Sequence, residues 1–144
     1  MRLLTIDSSV LVSAARPSEP GHAESMAFLA WVRTERPRLF LPTLALVEVA
    51  AALSRAGNEA SLAQQYALAI GQLPNLVLVP LDDGLARQSA ALGAQHGLRG
   101  ADAVFLASAA VFAAELVTLD REQLQRCASV VQTMSPAVFM KTVT

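Results

Sequence analysis

Four short apolar runs punctuate this chain at wide intervals: Leu3 to Ile6, Leu39 to Leu41, Leu76 to Val79 and Leu116 to Leu119. None is long enough for a helix. Each is continuous rather than alternating, the pattern of a strand buried on both faces. Segments of helical periodicity lie between them, and strands alternating with helices argue for a parallel sheet covered on both sides. The expected fold class is therefore α/β, a three-layer α/β/α sandwich around a short, mainly parallel sheet of four to five strands. At 144 residues the chain makes a single domain, 1–144, large enough for a real core.

Two of these runs end in a carboxylate: Ile6 is followed by Asp7, and Leu119 by Asp120. In an open α/β sheet, ligands bind at the carboxyl ends of the strands. Asp also caps helices well, and Asp7 precedes a helical segment at 8–15, so cap and catalyst are both open for it. A helix expected over 43–56, ahead of Gly57, is apolar nearly all round except for Glu48 in its body. Buried, such a carboxylate needs a cation or another partner; exposed, it is an ordinary surface group. Asp102 opens a helix whose next ten residues are almost wholly apolar, so that helix is buried with its N-terminus aimed at something. The pair Asp82-Asp83 is acidic too, but it directly precedes the helix at 85–96, where an N-cap is expected.

The remaining expectations are plain. Helices are read at 22–35 and 58–71, with a short exposed helix at 121–126. Val130-Val131 read as a last edge strand, and Ser135-Pro136 as the start of a terminal helical turn. Trp31 reads as core or interface, and the cluster Arg33 to Arg38 as a solvated helix end or a phosphate contact.

Composition removes several function classes. The chain is 53 % hydrophobic, yet no stretch reaches the ~18 uninterrupted apolar residues of a membrane span. Asp7 interrupts the N-terminus before a signal-peptide core forms. One cysteine, Cys127, forms neither an internal disulfide nor a thiolate cluster, and the cytoplasm is the natural compartment. His22 and His96 stand in no ligand-like spacing. The net charge of −1 announces no bulk polyanion binder, so any nucleic acid must be held by local arginines or by metal. The only lysine is Lys141. If Asp7, Glu48, Asp102 and Asp120 share one sheet edge, they cannot all stay ionised in a dry pocket without divalent cations. Hard oxygen ligands select Mg²⁺ or Mn²⁺, and such a pocket suits phosphodiester hydrolysis.

Four motifs in order make the chain similar to a known family. They are Ile6-Asp7-Ser8-Ser9-Val10-Leu11-Val12, Leu46-Val47-Glu48-Val49-Ala50, Leu98-Arg99-Gly100-Ala101-Asp102-Ala103 and Leu116-Val117-Thr118-Leu119-Asp120. Together they resemble the PIN domains, in particular the VapC-type ribonuclease toxins of VapBC toxin–antitoxin pairs. The resemblance implies an endoribonuclease dependent on Mg²⁺ or Mn²⁺, with Asp7 and Asp102 as direct ligands and Glu48 and Asp120 direct or through water. It implies a homodimer, an RNA substrate and a cognate VapB-type antitoxin whose C-terminal segment blocks the acidic site. Ser8 stands where the family has Thr or Ser, to hydrogen-bond a carboxylate or to cap the helix. Thr118 is a supporting residue or a plain strand residue. Arg99 meets an RNA phosphate or makes a salt bridge with Asp102. A non-toxin RNA-processing nuclease, or a non-catalytic RNA- or protein-binding module on the same fold, are the alternatives. A receiver domain wants an acidic pair after the first strand and a late lysine, and a haloacid-dehalogenase-type phosphatase wants a second Asp where Ser9 stands.

Overall fold

The computed structural model describes residues 1–144. Strands β1 (Leu3–Ile6), β2 (Arg38–Pro42), β3 (Leu76–Val79), β4 (Glu115–Val117) and β5 (Thr133–Met134) form one sheet in the order β3-β2-β1-β4-β5. Every pairing is parallel, with Ile6 beside Val117 and Leu41 beside Leu78. Eight helices complete the chain: α1 (Ser8–Ala15), α2 (His22–Glu35), α3 (Leu44–Arg55), α4 (Ala60–Ile70), α5 (Asp83–His96), α6 (Gly100–Val111), α7 (Arg121–Arg126) and α8 (Pro136–Val143).

The strand order decides the layers. From β1 the chain steps outward to β2 and β3, then returns past β1 to β4 and β5. Right-handed crossovers therefore place α1 to α4 on one face of the sheet and α5 to α7 on the other. The observed packing agrees: α1 packs on α2 and α3, α3 on α4, and α5 on α6. The direction reverses between β1 and β4, which makes their carboxyl ends the topological switch point where open α/β sheets bind ligands.

The core runs along both faces of the three inner strands. Leu4, Ile6, Leu39, Leu41 and Leu116 are fully buried, and α6 contributes Phe105, Leu106 and Ala107. α6 lies against β1, β2 and β4, which is why its sequence is apolar nearly all round. Far from the switch point, Phe139 of α8 packs edge-on against Phe28 and Trp31, with centroids 5.0 and 4.9 Å away, under the guanidinium of Arg2. Trp31 is thus a half-buried core residue. Arg33, Arg36 and Arg38 are exposed where the chain enters the amino end of β2, the end of the sheet opposite the switch point.

Three sequence expectations need correction. The last strand is Thr133–Met134, which pairs with Leu116 and Val117, and not Val130-Val131. The amides of Val130 and Val131 both turn back to the Cys127 carbonyl instead (3.0 and 3.1 Å). β4 ends at Val117, because the Leu119 amide leaves the ladder and donates to Ser9 Oγ (3.1 Å). α7 is not simply an exposed helix, since its Gln123 is buried. The Asp82 reading holds: its Oδ1 accepts from the Leu85 amide (2.8 Å) as an N-cap.

Candidate active site

Asp7 is both a cap and a cleft residue. Its amide donates to the Val117 carbonyl (2.9 Å), extending the β1–β4 ladder by one bond. Its side chain then leaves the sheet, with Oδ2 accepting from the Ser9 amide (3.2 Å) as the N-cap of α1. The same oxygen accepts from Thr118 Oγ1 (3.1 Å), and Oδ1 accepts from Gln123 Nε2 (3.2 Å). Asp7 is 4 % exposed, and these hydrogen bonds supply partners that a buried carboxylate needs.

Asp102, in the first turn of α6, is held by the same amide. Gln123 Nε2 donates to its Oδ1 (2.7 Å), so one nitrogen bridges Asp7 and Asp102. Arg99 Nε donates to Asp102 Oδ2 (2.9 Å), and Arg99 Nη2 to Asp120 Oδ2 (2.7 Å). Asp120 caps α7 by accepting from the Gln123 amide (3.0 Å), a cap role alongside its place in the cleft. Glu48, on the first turns of α3, accepts from Ser8 Oγ through Oε1 (3.0 Å). All seven residues singled out in the sequence therefore meet in one cleft or its immediate support. Asp7, Ser8, Glu48, Arg99, Asp102 and Asp120 line a cavity of about 820 Å³ at the switch point. Thr118 stands buried behind Asp7 and donates to its Oδ2.

The electrostatics are those of a site short of positive charge. Burial pushes the Asp7 carboxyl above its ordinary range; hydrogen bonds from Ser9 and Gln123 oppose this, and the neighbouring Asp102 adds to it. Glu48 is raised mainly by burial, against the Ser8 hydrogen bond, and further by Asp7 and Asp102. The only cation among the four acids is Arg99, whose side chain is 66 % exposed and whose guanidinium is held charged by Asp102 and Asp120. The buried Cys127 thiol is pushed up to about 12 by burial and by these carboxylates, so it stays protonated and offers no thiolate.

As the side chains stand, no three acidic groups converge on one cation position, since Gln123 and Arg99 engage their oxygens. The donor set nonetheless fits a hard divalent ion: four carboxylates, no nitrogen or sulfur ligand, and one ion-paired arginine, Arg99, whose side chain is largely exposed to solvent.

Sequence reasoning passed over three residues. Gln123 is 1 % exposed and ties the two most buried acids together. Its signal was position: three residues after the strand-ending Asp120, at the first turn of the helix that this acid caps. Ser9 links α1 to the end of β4 through the Leu119 amide. Arg55 lines the cleft from α3, seven residues and hence two helical turns after Glu48.

A PIN domain model matches residues 4–129. The chain belongs to the PIN-domain family. Comparison with curated proteins by sequence gave no match. Among solved structures, this PIN domain is similar to a toxin–antitoxin complex from Klebsiella pneumoniae (20 % identity, TM-score 0.65, 92 % of this chain and 97 % of that one). It is similar to VapC20 of Mycobacterium tuberculosis, a sarcin–ricin-loop-cleaving toxin (16 % identity, TM-score 0.70, 82 % and 90 %). It is also similar to a Pyrobaculum aerophilum protein (18 % identity, TM-score 0.70, 99 % and 89 %). At such identities these likenesses establish a shared PIN fold over nearly the whole chain. No helix is long and apolar enough to cross a membrane.

Proposed function

We propose that this PIN domain is an endoribonuclease dependent on Mg²⁺ or Mn²⁺, acting in the cytoplasm as the toxin of a toxin–antitoxin pair. One observation carries the reading: four carboxylates from four separate elements meet at the switch point of a parallel sheet, and Arg99 is the only cation ion-paired to any of them. A fold that gathered this much negative charge with no cationic partner would only lose stability. Asp7 and Asp102 would hold the metal directly, with Glu48 and Asp120 direct or through water. When bound, the metal would lower the pKa of a water and stabilise the leaving oxygen of the phosphodiester.

The chain's own groups then have defined tasks. Thr118, Ser9 and Gln123 fix the Asp7 carboxylate, so that its orientation does not depend on the ligand. Ser8 engages Glu48 through Oε1, so that Oε2, which takes no hydrogen bond from the chain, would accept a proton from an attacking water. A carboxylate raised above its ordinary range is better suited to that task than an exposed one. Val47 stands 64 % exposed beside Glu48, an apolar contact for an antitoxin segment laid along the cleft. The toxin–antitoxin complexes among its structural relatives support a cognate VapB-type partner, and a homodimer belongs to the same reading.

The test is induction of the protein alone, beside the Asp7→Asn, Asp102→Asn double variant at matched level. Growth arrest by the wild type only, with cut RNA accumulating, and Mn²⁺-dependent cleavage by the purified protein are the expected results. Arrest by both proteins refutes catalysis and favours a binding module; cleavage without arrest favours a processing nuclease.

A further inference from the structure

The cleft presents a contradiction for a polyanionic substrate. Beyond the four acids, its lining includes Glu19, and only Arg55 and Arg99 are cationic. Glu19 is engaged by Arg16, and Arg99 by Asp102 and Asp120. Arg55 alone is exposed, faces the cleft, and makes no ion pair or side-chain hydrogen bond within the chain.

Its position on α3 is specific. Glu48, Ala51, Ala52 and Arg55 recur at helical spacing and all line the cleft, so they share one face of the helix. The two alanines keep that face low between the acid and the base. Arg55 lies about 10 Å beyond Glu48 along the helix axis, at 1.5 Å per residue. A strand whose scissile phosphate sits among the carboxylates would cross the alanine floor and bring another phosphate to Arg55. The guanidinium suits that contact, because its planar fork matches two phosphate oxygens.

We infer that Arg55 is the binding site for a flanking RNA phosphate, separate from the reacting one, and that it positions the strand along α3. This rests on the nuclease reading above. It makes Arg55 a positioning residue, while the exposed Arg33, Arg36 and Arg38 lie at the wrong end of the sheet to serve.

The experiment is fluorescence anisotropy of a labelled single-stranded oligoribonucleotide over a salt series. Ca²⁺ replaces Mg²⁺, and the RNA is checked intact on a gel afterwards. Each phosphate contact to a single strand contributes about −0.7 to the slope of log K against log salt. Arg55→Gln is expected to make the slope shallower by about 0.7 and weaken binding at low salt, with an unchanged Tm. Arg55→Lys keeps the slope, because the charge stays, and Arg33→Gln leaves it unchanged. A slope equal to wild type in Arg55→Gln overturns the inference, as does an equal loss in Arg33→Gln. Neither outcome touches the nuclease reading, which stands or falls on cleavage by the wild type and its loss in Asp7→Asn, Asp102→Asn.

Discussion

Replacing Gln123 by leucine removes the one group that holds Asp7 and Asp102 together, and its effect follows from the geometry. Two N–H donors are lost, at 2.7 Å to Asp102 and 3.2 Å to Asp7. A hydrogen bond to a charged group contributes about 1.5–3 kcal/mol, so the pair is worth about 4 kcal/mol with the longer bond at the low end. Against this, the Gln123 carbonyl oxygen Oε1 is buried with no partner. Leucine abolishes that cost, about 2 kcal/mol for an unsatisfied buried group. The balance is a destabilisation of about 2 kcal/mol, or a Tm lower by about 6 °C for a chain of this size. Scanning calorimetry of the metal-free protein measures it directly. Gln123→Glu should fall further, since it sets another carboxylate against two that are already crowded. Titration calorimetry with Mn²⁺ gives the functional counterpart: an orienting partner of metal ligands is worth about 10–100-fold in affinity, and Gln123→Leu should lose that much. A leucine variant with wild-type Tm and wild-type Mn²⁺ affinity would refute the argument, and Gln123 would then be mere filler behind the site.

Two further outcomes follow from the same structure. Burial holds the Asp7 carboxyl above its ordinary 3.8, so over the interval between the two values the folded chain keeps a proton that the unfolded chain has released. Metal-free stability should therefore fall as pH rises through the raised value, and Glu48 acts in the same direction. Asp7→Asn should flatten that fall and raise the metal-free Tm at neutral pH while abolishing cleavage, as thermal melts across pH will show. Phe139→Ala removes a fully buried ring from its contacts with Phe28, Trp31 and Arg2, at a cost of about 3–5 kcal/mol or about 10 °C in Tm. Its Mn²⁺ affinity should be unchanged, because α8 packs on α2, away from the cleft; a large affinity loss would contradict that separation.

Much of this protein was legible in its sequence, for local reasons. The apolar runs marked the first four strands because a strand buried on both faces admits few polar residues, and their alternation with helices implied the parallel sheet. Asp7 and Asp120 were visible because each follows such a run directly, where the chain must leave the sheet. Glu48 and Asp102 stood out as charges on apolar helices. The last strand was misplaced because two residues carry too little pattern. Thr133–Met134 are a strand only by pairing with β4, and Val130-Val131, more strand-like in composition, close a turn on Cys127.

What only the tertiary structure decided is which of these groups touch. Asp7 lies at a distance of 116 residues from Gln123 and 111 from Thr118, and both hydrogen bonds exist because the strand order reverses between β1 and β4. The local pattern places Gln123 three residues after Asp120 on a short polar helix, but its burial between Asp7 and Asp102 follows only once that helix is seated over the switch point. The same holds for Arg55, whose periodicity with Glu48 is ordinary and whose place in the cleft depends on how α3 packs against the sheet and α1. Sequence dictates the elements through burial periodicity and capping, which act over a few residues. The site is decided by side chains that meet only after crossovers have closed, since hydrogen bonds and charges act over a few ångströms of space whatever the separation along the chain.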